Sequence, residues 1–94
     1  NLTKQIMEKK SAEERTKKRE LRIIEKFGPE STGEKVVDIN GTDYGFYTFK
    51  GEVYVVNYEN GIDFDFSDLS NEDQKIAVEK LVVKNEFRLG AQPL

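Results

Sequence analysis

Tyr47, Phe49, Tyr54, Tyr58, Asp63 and Asp65 interleave aromatic rings with carboxylates over nineteen residues of this chain. A ring face attracts a cation through its quadrupole and a carboxylate attracts it through its charge, so the mixture suits Lys and Arg side chains. The complement lies in the same sequence: Lys9, Lys10, Arg15, Lys17, Lys18, Arg19 and Arg22 place seven cations in fourteen positions. Residues 1–27 hold nine Lys and Arg against five Glu, and residues 28–94 hold six against thirteen Asp and Glu. A segment of net +4 thus precedes one of −7, a contrast hidden in the overall charge of −3.

Most catalytic designs are missing their usual residues. With no His and no Cys, the commonest general base, the commonest metal ligand and any thiolate site or disulfide framework are absent. Asp63, Asp65 and Ser67 begin like a calcium loop, but Asp68 occupies the glycine position and Gln74 replaces the closing Glu, so the EF-hand pattern fails. Asp43 and Asp63 could form a carboxylate pair two strand spacings apart, roughly 9 to 10 Å, yet nothing else supports glycosidase-like chemistry. No Gly pattern leads from a strand into a helix as phosphate cradling requires. The expectation is a non-enzymatic protein with no cofactor and no metal.

Nucleic acid is the rival reading of the basic segment. Glu8, Glu13, Glu14 and Glu20 are interleaved with its cations, and the acidic remainder would repel a phosphate backbone. Rings on strands can stack on bases, but here carboxylates flank them instead of Lys and Arg.

The elements that position these residues follow from periodicity and punctuation. Leu2 to Phe27 contains no Pro or Gly and is rich in helix formers, with Glu13 to Lys17 and Glu14 to Lys18 as i,i+4 pairs. Its apolar residues cluster at the ends, so a heptad phased on Leu2, Ile6, Ile23 and Phe27 fails through the middle and no continuous coiled coil is expected. The last two turns should dock on a core while the first five project as a charged arm. Gly28 and Pro29 end the helix, and 28–34 reads as a polar linker.

Asn40-Gly41, Lys50-Gly51 and Asn60-Gly61 then separate four β-prone runs, roughly 35–39, 42–49, 52–58 and 62–66. Two-residue loops at all three would put Val37, Ile39, Tyr44, Phe46, Val53, Val55, Ile62, Phe64 and Phe66 on one face. The other face would carry Tyr47, Phe49, Tyr54, Tyr58, Asp63 and Asp65 together with Asp38 and Asp43, two like charges placed opposite each other. Ser70 with Asp73 is a capping-box pattern opening a last helix from 71 to about 87. Its Ala77, Val78, Leu81 and Val82 stripe would cover the core face, and its Ile76, Val83 and Phe87 stripe would meet Leu21, Ile24 and Phe27.

The predicted fold is α+β: a long N-terminal helix, a four-stranded antiparallel meander and a C-terminal helix packed on one sheet face, with 35–94 as the core of a single domain. No run approaches a membrane span, and the cytoplasm is the expected compartment. The expected role is a small protein-interaction or regulatory module. It would bind a protein partner or a second copy of itself, as in a homodimer, through the ring and acid face and the basic arm.

Overall fold

The computed structural model describes residues 2–83, 88 and 89, with side chains from 12 to 83. The first helix, α1 (Leu2–Phe27), ends at Gly28. Gly28 takes a φ of 87°, and its N–H donates to the Ile24 carbonyl at 2.7 Å, the left-handed cap that glycine adopts without strain. The following connector is pinned. Thr48 Oγ1 donates to the Gly28 carbonyl at 2.7 Å and the Thr48 N–H donates to Ser31 Oγ at 2.9 Å. The Ser31 N–H returns a bond to the Thr48 carbonyl at 3.1 Å. Residues 28–31 therefore run beside the far end of the second strand, where the Ser31 hydroxyl stands in for a ladder carbonyl.

Strands β1 (Lys35–Ile39), β2 (Thr42–Phe49), β3 (Glu52–Asn57) and β4 (Ile62–Asp65) form an antiparallel meander, and a two-residue strand β5 (Arg88–Leu89) pairs with β1, giving the order β4-β3-β2-β1-β5. The first two hairpins have the expected register, Ile39 opposite Thr42 and Phe49 opposite Glu52. Asn40 and Gly41 both take positive φ, as do Lys50 and Gly51, so both turns have the twist that two-residue hairpins require.

The third hairpin differs from expectation. Asn57 stands opposite Ile62, which leaves a four-residue turn. The cause is Asn57 itself: its Oδ1 accepts from the Glu59 N–H at 2.8 Å and its carbonyl accepts from the Gly61 N–H at 2.7 Å, closing the strand before Tyr58. A slip of two residues preserves side-chain parity, so the two faces are conserved while Tyr58 moves out of the ladder and into the turn.

A 3₁₀ turn (Phe66–Asp68) leads to α2 (Asn71–Val78), capped where Ser70 Oγ accepts from the Asp73 N–H at 3.1 Å. The helix then widens into a π turn over Glu79–Val83. The expected helix is thus followed to Val83, and its end at about 87 lies outside the described residues. Leu81 is fully buried and Lys80 Nζ donates to the Asp38 carbonyl at 2.7 Å, tying the π turn to β1. β5 then pairs with the backbone edge that β1 would otherwise leave open. Phe87 lies outside the described residues.

Both helices lie on the inner sheet face. Ile23 of α1 joins Val37, Ile39, Phe46, Val53, Val55, Phe66, Ala77, Val78 and Leu81 in one buried core, and Ile24, Phe27 and Ile76 pack against it. Full burial of such aliphatic or aromatic side chains contributes about 1.5–3 kcal/mol each. Ile62 was expected in this core but is 59% exposed, because it starts the edge strand β4. Leu21 and Val83 are likewise exposed, so the second apolar stripe is only partly matched. No helix among the described residues is long and apolar enough to cross a membrane.

Gln74 joins the helices. Only 3% exposed, it accepts through Oε1 from Thr16 Oγ1 at 3.1 Å and from Arg19 at 2.9 Å, and donates through Nε2 to the Leu69 carbonyl at 3.1 Å. Arg19 also donates to Asn71 Oδ1 at 2.9 Å. Docking of α1 therefore begins near Thr16, earlier than the apolar residues alone imply.

Candidate functional site

The outer face of the sheet gathers the rings and acids singled out in the sequence. Tyr47 and Tyr54 are directly opposed on β2 and β3, and their rings stack with centroids 5.5 Å apart and planes 26° from parallel. Opposed aromatic pairs are a strong stabilising unit of a sheet. Asp65 stands opposite Tyr54 on β4, and Asp63 stands opposite Val56. Phe49 is exposed at the end of its hairpin, with Lys50 Nζ 5.3 Å from its ring centroid.

Each tyrosine hydroxyl on this face donates to a carboxylate. Tyr47 donates to Asp63 Oδ2 at 2.9 Å, Tyr54 to Glu52 Oε2 at 2.6 Å and Tyr58 to Glu34. Ionising any of these phenols would place two anions side by side. Burial together with the bond to Asp63 pushes Tyr47 up to about 12, and burial together with the bond to Glu34 pushes Tyr58 up to about 12. Tyr54 is raised chiefly by its bond to Glu52. At neutral pH all three remain donors, fixing the carboxylates in place without neutralising them. No Lys or Arg among the described residues forms an ion pair with Glu34, Glu52, Asp63 or Asp65.

Two residues that sequence reasoning missed shape the centre of the face. Glu34 lies at the end of the connector and reaches Tyr58 across β2. Gly45 makes this possible: a Cβ there would meet the Tyr58 hydroxyl at 2.6 Å and Glu34 Oε2 at 2.8 Å. A glycine inside a strand was the available signal, since it often marks close approach of another group. Beside this contact a shallow groove of about 320 Å³ is lined by Thr32, Gly33, Glu34, Tyr47, Val56 and Asp63. It offers a stacked ring, an apolar floor and two oriented carboxylates, a setting for the head of a Lys or Arg side chain.

A larger groove of about 520 Å³ lies between α1 and the sheet edge, lined by Glu13, Thr16, Lys17, Glu20, Glu52 and Asp65. Burial raises Glu20, Lys17 opposes the shift, and Glu52 and Asp65 add to it. No group of acidic residues among the described ones is disposed to hold a metal ion. Asp43 and Asp63 are not level across the sheet, because Asp63 faces Val56 and, beyond it, Gly45. Asp38 and Asp43 are opposed as expected, and Lys80 reaches the Asp38 carbonyl rather than the space between the two side chains.

The basic arm divides. Arg15, Lys17, Lys18 and Arg22 are exposed on α1, whereas Arg19 is drawn into the joint with α2. The side chains of Lys9 and Lys10 lie outside the described residues. Because α1 packs on the inner face, its described cations do not lie over Tyr47, Tyr54 and Tyr58 of the same chain. No protein-family model matches this chain, and no curated protein or solved structure resembles it significantly.

Proposed function

We propose that this chain is a small non-enzymatic protein-interaction module whose outer sheet face receives a Lys- and Arg-rich segment of a protein partner. The observation that carries the reading is the stacked Tyr47–Tyr54 pair flanked by Asp63 and Asp65. One lone pair of the Asp63 carboxylate is satisfied by Tyr47 while its charge is left unpaired among the described residues. Cation–π contacts contribute about 0.5–1 kcal/mol each at exposed sites, so several must act together with the carboxylates. The reading keeps the cytoplasm as the compartment, on composition alone.

Titration of a Lys- and Arg-rich peptide onto the protein tests it. Tyr54→Ala combined with Asp65→Ala should weaken binding by about tenfold, equivalent to about 1.4 kcal/mol, with the fold intact by circular dichroism. Unchanged affinity would refute the proposal.

A second reading, nucleic-acid binding through α1, rests on Arg15, Lys18 and Arg22, which form no ion pair among the described residues. Glu13, Glu14 and Glu20 on the same helix and the acidic sheet weigh against it. Binding of duplex or single-stranded oligonucleotides at moderate salt would support it, and silence in both titrations removes it.

A further inference from the structure

The described cations of α1 are sorted by the docking of the helix. At about 100° per residue, Thr16, Ile23 and Phe27 share the side that meets the core, while Arg15, Lys18 and Arg22 fall within a sector of about 60° centred about 130° away from it. Their spacing of three and four residues aligns them in one row, about 10 Å from Arg15 to Arg22. All three are exposed, and no carboxylate among the described residues lies within ion-pair distance of them. Glu14 and Glu25 flank the row on one side without interrupting it.

The molecule thus has two layers with oppositely charged outer surfaces. The sheet turns its rings outward on one side, and α1, packed on the inner face, carries its exposed cationic row away from the core. Among the described residues, no cation of the row is within ion-pair distance of a carboxylate of the face. The two surfaces match each other in kind: a row of long cationic side chains on a straight helix, and a sheet face on which Tyr47, Tyr54, Asp63 and Asp65 lie on neighbouring strands spaced about 4.8 Å apart.

Resting on the reading of the sheet face given above, we propose that its occupant is the Arg15, Lys18 and Arg22 row of a second copy of this chain. Because the row and the face are different surfaces of one molecule, the contact is head to tail. Every joined pair leaves a free cationic row at one end and a free acidic face at the other. Such a heterologous contact extends by adding copies instead of closing at two, and because it is built from charges it weakens as salt rises.

Sedimentation of the full chain at low and high salt tests this. At low salt the weight-average mass should climb with concentration past that of a dimer, and at high salt it should fall to the 10.8 kDa of one chain. A row variant (R15E, K18E and R22E) and a face variant (D63K and D65K), each checked for folding by circular dichroism, should be monomeric alone. Mixed in equal amounts, they should form a pair that grows no further, since the row variant keeps only a working face and the face variant keeps only a working row.

A wild-type chain that stays monomeric at low salt, one that stops at a closed dimer, or a mixture that fails to pair would overturn the proposal. Parallel titration with the Lys- and Arg-rich peptide separates the two levels. Peptide binding by a monomeric wild type leaves the face reading intact and removes only the self-partner, whereas loss of both removes both.

Discussion

At the scale of single residues, the outer face is held in a defined state by phenol-to-carboxylate hydrogen bonds. Tyr47 and Tyr58 ionise near 12, above the ordinary value of 10, because burial and their acidic partners disfavour the phenolate. Below pH 10 both phenols are protonated in the folded and the unfolded chain. Between about 10 and about 12 the unfolded chain loses these protons first, so stability should fall as pH rises through that window. Absorbance titration of the phenolates alongside urea unfolding measures both, and Tyr47 and Tyr58 should titrate near 12, with Tyr54 also later than a free phenol. Gly45 makes a sharper demand. Gly45→Ala pushes a methyl group into the outer end of the exposed Tyr58 side chain and the Glu34 carboxylate, which must swing aside and lose their contact, at a cost of about 1 kcal/mol. In a Tyr58→Ala background the same change should cost much less, and an equal cost by urea unfolding in both backgrounds would contradict the close approach. The rings and the Asp63 and Asp65 carboxylates were legible from alternation. Glu34 and Gly45 were not, because Glu34 arrives from the connector and the role of Gly45 depends on where Tyr58 turns.

At the scale of elements, local chemistry decided what alternation could not. Both faces of the sheet were readable because parity survives a two-residue slip, whereas the turn at 58–61 was not, because Asn57 competes with the Asn60-Gly61 signal by bonding the backbone of Glu59. The π turn and β5 were hidden for related reasons: apolar spacing does not distinguish a π turn from an α-helix, and the pairing of β5 with β1 joins residues far apart in sequence. The Lys50 turn offers a clean test. Lys50 sits at a φ of 51°, which costs a side chain other than Asn or Gly about 1 kcal/mol, while its contact with Phe49 returns only about 0.5 kcal/mol. Lys50→Asn should therefore stabilise the domain by roughly 0.5 kcal/mol in urea unfolding. The joint between the helices makes the opposite prediction. Gln74→Ala strips partners from Thr16, Arg19 and the Leu69 carbonyl and should cost about 1–3 kcal/mol. It should also raise hydrogen exchange in α1 more than in the β2–β3 hairpin.

At the scale of the whole molecule, the contrast between a basic first segment and an acidic remainder becomes a statement about surfaces. Folding takes Arg19 out of the basic set and leaves Arg15, Lys18 and Arg22 exposed on α1, while the strands gather Tyr47, Tyr54 and Asp63 on the outer sheet face. The composition of each patch was legible in the sequence, but their separation onto two surfaces follows from the docking of α1 on the inner face through Ile23 and Gln74. The outer sheet face is proposed to recognise a cationic protein segment. Amide chemical-shift mapping during titration with a Lys- and Arg-rich peptide locates that contact residue by residue. Shifts should concentrate at Glu34, Tyr47, Tyr54 and Asp63 and diminish at high salt. Shifts centred instead on Glu13 and Glu20 in the groove beside α1, or no shifts at all, would contradict it.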